Sequence, residues 1–148
     1  MKALTLWQPW ASLIALGEKK VETRCWSTKY RGELAIHAAA QIPPKWLGAS
    51  RFSSAFANEL ADVLMVRTDH VGDKSRELPR AAVLCIVRLV DIQTTDEAAG
   101  FLCKRELIFG NYEEGRYAWF LELVEKFETP VLAKGNRMLW NWNGLTDE

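Results

Sequence analysis

The chain has 148 residues, 49% of them apolar and 26% charged, a composition that fits one globular domain spanning residues 1–148 and argues against a disordered or fibrous chain. At this size folding buries roughly 68–70% of the unfolded surface, so a core forms without disulfide or metal staples. Nineteen basic and nineteen acidic side chains cancel, which argues against a general polyanion coat and leaves room for a local basic patch.

Ala3 to Trp7 is a short strand candidate. Pro9 suits the first turn of a helix, where its missing N–H has no partner anyway. Trp10 to Leu16 then reads as a short helix closed by Gly17, a residue free to take the left-handed conformation. Lys20 to Trp26 alternates: Val21, Thr23 and Cys25 on one side, Glu22, Arg24 and Trp26 on the other. That pattern predicts a half-buried strand with a charged outer row. Glu33 to Ala39 is a second strand, and the two are expected to pair as an antiparallel hairpin.

Pro43-Pro44 breaks the sheet and opens a helical middle, with a helix expected over Ser53 to Val66. Thr68 to Pro79 is polar and reads as a loop. Ala81 to Ile92, rich in Val, Ile and Leu, is the clearest strand. Tyr117 to Val124 alternates as another, and Thr129 to Leu132 reads as a separate short edge. Trp140-Asn141-Trp142 closes the chain's ordered pattern. Short strands with helices between them predict an α+β fold, a small mixed barrel-like sheet flanked by short helices.

Cys25, Cys85 and Cys103 are widely spaced, with no CxxC and no ligand-spaced Cys/His pair. They are expected to be reduced, mostly buried thiols in a cytoplasmic protein, with no metal and no cofactor. No stretch of about 18 apolar residues exists, so no membrane partner is expected. Met1 to Gly17 is interrupted by Gln8 and Pro9 and is not read as a signal peptide. The oligomeric state is left open.

Charge is unevenly spread. Between Lys19 and Arg31 five basic residues stand against one acid, Glu22. Glu22 and Arg24 share a strand face, a spacing that allows a bidentate pair. Lys19, by strand parity, joins them only through a bend at the helix-to-strand junction. Together these residues could run acid–base or nucleophilic chemistry: Lys19 as base or nucleophile, Glu22 as proton shuttle, Arg24 as phosphate or oxyanion holder. The alternative is an ordinary surface salt bridge. His37, on the neighbouring strand, is a further acid–base candidate or a satisfied structural histidine. Trp10 and Trp26 flank the segment and offer stacking surfaces for a base, or plain core. Arg116 and Lys134, in short loops, could extend the positive surface.

Gly17-x-Lys19-x-x-Glu22-x-Arg24 resembles the GxKxxExR signature of the ASCH family, the ASC-1 homology domains. The blocks around it are similar too: Leu6-Trp7-Gln8-Pro9-Trp10-Ala11, Tyr30-Arg31-Gly32 with Ile36-His37-Ala38, Gly115-Arg116-Tyr117-Ala118-Trp119, and Lys134-Gly135. The resemblance implies a PUA-like β-barrel with a cleft lined by the signature, and RNA or a modified nucleoside as the partner. Some members resemble ribonucleases; others are amidohydrolases that remove the acetyl group of N4-acetylcytidine. In that branch a Lys at the position of Lys19 is catalytic, helped by a Thr at the position of Glu22 and a central Glu. Here Glu22 replaces that Thr, and Glu59 and Glu77 are candidates for the central Glu.

The expectation is a protein that recognises RNA or a modified nucleobase, with hydrolysis, ribonuclease action or binding without catalysis as its modes. Lys19, Glu22 and His37 are the candidate catalytic residues. Gln8, Trp10, Arg24, Trp26, Arg31, Arg116 and Lys134 are the candidate substrate contacts.

Overall fold

The structure, a computed structural model, describes residues 1–42, 54–68 and 78–144. In chain order its elements are β1 (Lys2–Leu6), α1 (Trp10–Ala15), β2 (Val21–Arg24), β3 (Gly32–Ala38), α2 (Ser54–Thr68), β4 (Ala82–Thr94), α3 (Thr95–Ala99), α4 (Lys104–Phe109), β5 (Tyr117–Leu132) and β6 (Leu139–Asn141). The expected α+β class is present. Six strands form one mixed sheet in the order β2–β5–β4–β3–β1–β6. Among the described residues only the β1–β3 pair is parallel.

Val, Ile and Leu dominate β4, and all its residues from Ala82 to Val87 are buried. Val83 and Ile86 pack on one sheet face, Leu84, Cys85, Val87 and Leu89 on the other. Simple alternation would not put Leu84 and Cys85 together. The register slips between Val83 and Cys85, and again at Ile86/Val87 and Leu89/Asp91. Each bulge adds twist and bends the ribbon, which curls the long β4–β5 pair into a half-barrel. Helix α1 lays Ala11, Ile14 and Ala15 against one face, alongside Leu4, Leu34, Ile36 and Trp119.

The expected β2–β3 hairpin does not form. β2 pairs with β5, Glu22 opposite Trp119, while β3 lies between β1 and β4. Seven residues separate the two strands, too many for a turn that dictates register. Leu34 to Ala38 is buried without interruption, which demands a central position with both faces covered. Thr129–Leu132 is not a separate strand but the end of β5, carried past the bulges. Of the cysteines only Cys85 is buried; burial pushes its thiol up to about 12. Pro43-Pro44 and most of the 68–79 loop lie outside the described residues.

His37 occupies the outer end of β3, 1% exposed. Its Nε2–H donates to the Ala133 carbonyl at 2.7 Å, which fixes the tautomer. Nδ1 then accepts from the Thr5 hydroxyl at 3.1 Å, and Thr5 in turn accepts from Trp140 Nε1 at 3.0 Å. This chain ties β1, β3, β6 and the turn after β5 together.

Helix α1 ends as its sequence predicts. Gly17 has φ +76°, and its N–H donates to Ile14 O at 3.0 Å while Glu18 N–H reaches Leu13 O at 3.0 Å. Those two bonds are the Schellman pattern. An alanine at this φ costs roughly 1–2 kcal/mol. Urea unfolding of Gly17→Ala should show that loss, whereas Gly100→Ala, in the right-handed region, should stay within about 0.5 kcal/mol of wild type. Equal effects would mean that the left-handed turn is not the constraint.

Burial pushes the His37 pKa below its ordinary value, against the opposing pull of the Ala133 hydrogen bond. The unfolded chain takes up that proton near pH 6.5. The stabilisation is therefore complete above about pH 6.5 and is lost as pH falls toward the lower folded value. Urea midpoints of wild type should fall more steeply between pH 7.5 and 5 than those of His37→Gln. Parallel profiles would count against a buried neutral imidazole.

Candidate functional site

Directly after the Gly17 turn, Lys19 N–H also donates to Leu13 O at 3.1 Å, so the chain keeps bending. Lys20 is then held from both sides. Its N–H donates to Glu106 Oε2 at 2.7 Å, and its carbonyl accepts from Leu121 N at 2.9 Å. The bend turns the Lys19 side chain inward, leaving the residue 1% exposed. Its ammonium donates to the Val21 carbonyl and stands 3.8 Å from Glu22 Oε1. The junction that strand parity required for Lys19 to meet Glu22 is this one.

The charged row of β2 is not an outer row. Glu22 is 7% exposed and sits opposite the fully buried Trp119, inside the curl of the sheet. Its Oε1 also accepts from Thr23 N at 2.9 Å. Glu22 and Arg24 do not form the bidentate pair that their spacing allows. Arg24 makes no ion pair among the described residues and lies 5.8 Å from the centre of the Trp26 ring. Trp26 stands edge-on to Trp119, with centroids 4.7 Å apart.

In front of Glu22 and Arg24 opens a cavity of about 160 Å³. Its polar side is Glu22, Arg24, Asn111 and Arg116; its apolar side includes Trp7, Trp10, Phe56 and Phe109. Two anchors set the polar side. Thr23 Oγ1 accepts from Asn111 N at 2.9 Å, and Arg116 donates to Thr23 O and Asn111 O, both at 3.2 Å. On the apolar side Trp10 Nε1 donates to Phe109 O at 2.9 Å, and Phe56 lies 5.7 Å from both Trp10 and Phe109. Arg105 holds α2 in place by pairing with Glu18, Glu59 and Asp62 at 3.0, 3.1 and 3.4 Å. Gly17, Lys19 and Lys20 also border a second hollow of about 230 Å³ toward Leu121–Leu123.

The structure thus brings Trp10, Glu22, Arg24 and Arg116 to one cavity, with Lys19 behind Glu22 and Trp26 beside Arg24. Other candidates lie elsewhere. Gln8 is buried and caps α1: Oε1 accepts from Ser12 N at 3.0 Å, and Nε2 donates to Ser12 Oγ at 2.8 Å and Pro79 O at 2.7 Å. Arg31 is exposed and donates to the Thr28 and Tyr30 carbonyls at 2.9 and 2.8 Å. His37 and Lys134 border a different groove. Glu59 is taken by Arg105, and Glu77 lies outside the described residues.

Glu106 is one of five acids between Asp96 and Glu114, and nothing in that spacing marks it for the site. It is buried, and its Oε1 has no partner among the described residues. The Tyr112 hydroxyl is likewise unpaired. Burial, then the negative charges of Glu106 and Glu22, push the Tyr112 hydroxyl pKa upward. Among the described residues no three His, Cys, Asp or Glu side chains converge as a metal site.

Removing one member of a buried ion pair strands the other and costs about 3–5 kcal/mol. Lys19→Met should lose stability on that scale, and adding Glu22→Gln should restore most of it. A double variant no more stable than Lys19→Met would show that the two groups are not coupled.

The family model described as the ASCH domain matches residues 4–131. The human protein named Activating signal cointegrator 1 is 52% identical over 151 residues, and its mouse counterpart 28%. Each alignment covers 93% of this chain but 21% of the relative, so the chain spans about a fifth of their length. A crystal structure of a Tyr-to-Phe mutant of the ZmASCH protein from Zymomonas mobilis aligns with TM-score 0.43 and 15% identity, covering 88% of this chain and 74% of that one. No helix among the described residues is long and apolar enough to cross a membrane. The chain belongs to the ASCH domain family.

Proposed function

We propose that residues 1–148 act as one domain that recognises RNA or a modified nucleoside by taking a single unstacked base into the cavity between β2 and α4. The observation that carries this is the cavity's two-sided lining: aromatic rings on one side, carboxylate, amide and guanidinium on the other. A volume of about 160 Å³ is similar to that of a cavity known to accept a benzene-sized ring, roughly 150 Å³. Aromatic walls suit the π-face of a base, and the polar groups suit its edge. Arg24 lines the cavity and makes no ion pair among the described residues; in this reading it meets a phosphate or an acyl oxygen.

Hydrolysis is a second reading, favoured by the buried Lys19–Glu22 pair behind the cavity. A buried ion pair contributes little net stability, so its presence beside a cavity fits a chemical role. In that reading water adds to the acyl carbonyl of an N4-acylated base. The C–N bond breaks, the acyl group leaves as a carboxylic acid, and the exocyclic nitrogen takes the proton.

Tryptophan fluorescence should report binding of N4-acetylcytidine and of short single-stranded RNA. Arg24→Ala should weaken binding about 10- to 100-fold, the size of a lost charged hydrogen bond. Unchanged affinity, or none in wild type, would overturn the assignment. Turnover of N4-acetylcytidine by wild type but not by folded Lys19→Met/Glu22→Gln would establish the hydrolytic mode. Binding without turnover in wild type would leave recognition alone.

A further inference from the structure

A groove of about 780 Å³ opens on the other face of the sheet, at the end of β1 and β3. Its size falls within the roughly 300–1,000 Å³ of ordinary ligand sites. Thr5, His37, Ala39–Gln41 and Lys134–Asn136 form most of its lining, and among the described residues none that lines it is acidic. Lys134 and Arg137 are exposed in the turn after β5. Arg80 closes the edge by donating to the Ala40 carbonyl at 2.9 Å. Lys134 thus lines the groove, Arg80 stands at its edge and Arg137 follows in the same turn, with no counter-charge in the lining among the described residues.

The basic turn is built, not floppy. His37 Nε2 donates to Ala133 O, the residue just before Lys134. Gly135 lies flat on the imidazole: a Cβ there would fall 2.6 Å from His37 Cε1 and 2.8 Å from Thr5 Oγ1. Only glycine lets the turn approach this closely. His37 is thus a positioning residue for Lys134, its ring nitrogens both already engaged.

The groove and the base cavity are neighbours. Thr5 lines the groove; Leu6 and Trp7, next in sequence, line the cavity. Ala39, also in the groove, donates its N–H to Leu6 O at 2.8 Å. The end of β1 separates the two openings.

Resting on the base-cavity reading, we propose that this groove is a second nucleic-acid site, which holds the sugar–phosphate backbone of the single strand whose unstacked base enters the cavity. Among the described residues no aromatic face lines the groove except His37, whose ring is turned against Trp140, with centroids 5.4 Å apart. Stacking therefore adds nothing here, and the contact is with phosphates, independent of base sequence.

The test compares N4-acetylcytidine with single-stranded oligoribonucleotides of two to eight residues. Each phosphate neutralised on a single strand adds about 0.7 to the slope of log affinity against log salt. Affinity should rise with length. Replacing both Lys134 and Arg137 by Gln should lower the slope for the longer strands by about 1.4, from two contacts, and leave nucleoside affinity unchanged. Gly135→Ala, checked as folded by its unfolding midpoint, should mimic that loss by displacing the turn. An unchanged slope in the Lys134/Arg137 variant, or affinity flat with length, would overturn the groove. Capture of an acidic peptide in place of RNA, lost on the same double replacement, would also overturn it. Failure of the nucleoside to bind wild type would instead overturn the base cavity, so the two readings fail separately.

Discussion

A primary ammonium withdrawn from water must be answered inside the protein, and Lys19 is 1% exposed. The uncompensated cost is several kcal/mol, larger than any single contact nearby could offset. Two groups answer it, the Val21 carbonyl and the Glu22 carboxylate, both supplied by β2. Neither would be in reach of a lysine on a straight strand. The Gly17 turn bends the chain, Glu106 grips the Lys20 N–H, and Leu121 grips the Lys20 carbonyl. Helix α1, helix α4 and strand β5 are thus all held to the one short segment that carries the buried charge. The cavity lies directly in front of that segment, which explains why its carboxylate is fixed rather than mobile.

The same arrangement separates two arginines by task. Arg116 spends its donors on the Thr23 and Asn111 carbonyls and so fixes the cavity wall. Arg24 has no carboxylate partner among the described residues and rests beside an indole face. A guanidinium against an aromatic ring keeps its in-plane donors available while losing little rotamer freedom. The wall and the ligand contact are therefore carried by different side chains, and disturbing one need not disturb the other.

Much of this was readable from the chain. Gly17 after an apolar helical run marked the helix end, the Val/Ile/Leu run marked β4, and Gly17-x-Lys19-x-x-Glu22-x-Arg24 marked the site. Alternation correctly grouped Glu22 with Arg24 but put that group on the outside. Periodicity sorts residues into two faces without saying which is buried, and a charged face is normally the wet one. Here the ion pair reverses the choice. Strand pairing departs from the pattern for a different reason: closeness in sequence favours a hairpin, whereas the burial of β3 on both faces sends it to the centre. The same central position takes His37, close to the site in sequence, to a different groove. The short helix α3 did leave a local signal, since Thr94 and Glu97 have capping-box spacing and the Thr94 side chain accepts from Glu97 N at 3.3 Å. Glu106 left none, because its importance comes from a contact 86 residues away.

The position of the site on an edge strand follows from the same charges. An edge presents unpaired N–H and C=O groups that invite another strand. Natural edges resist this with short length, flanking lysine and inward-pointing charges. β2 has all three: four residues, the exposed Lys20 immediately before it, and Glu22 turned inward. At the opposite edge β6 has only three residues. A second strand added beside β2 would have to tolerate the bend at Lys19, which the buried ammonium holds rigid. The ion pair that prepares the cavity therefore also closes the sheet to further pairing, and an edge strand can carry a polar site without becoming a template for aggregation.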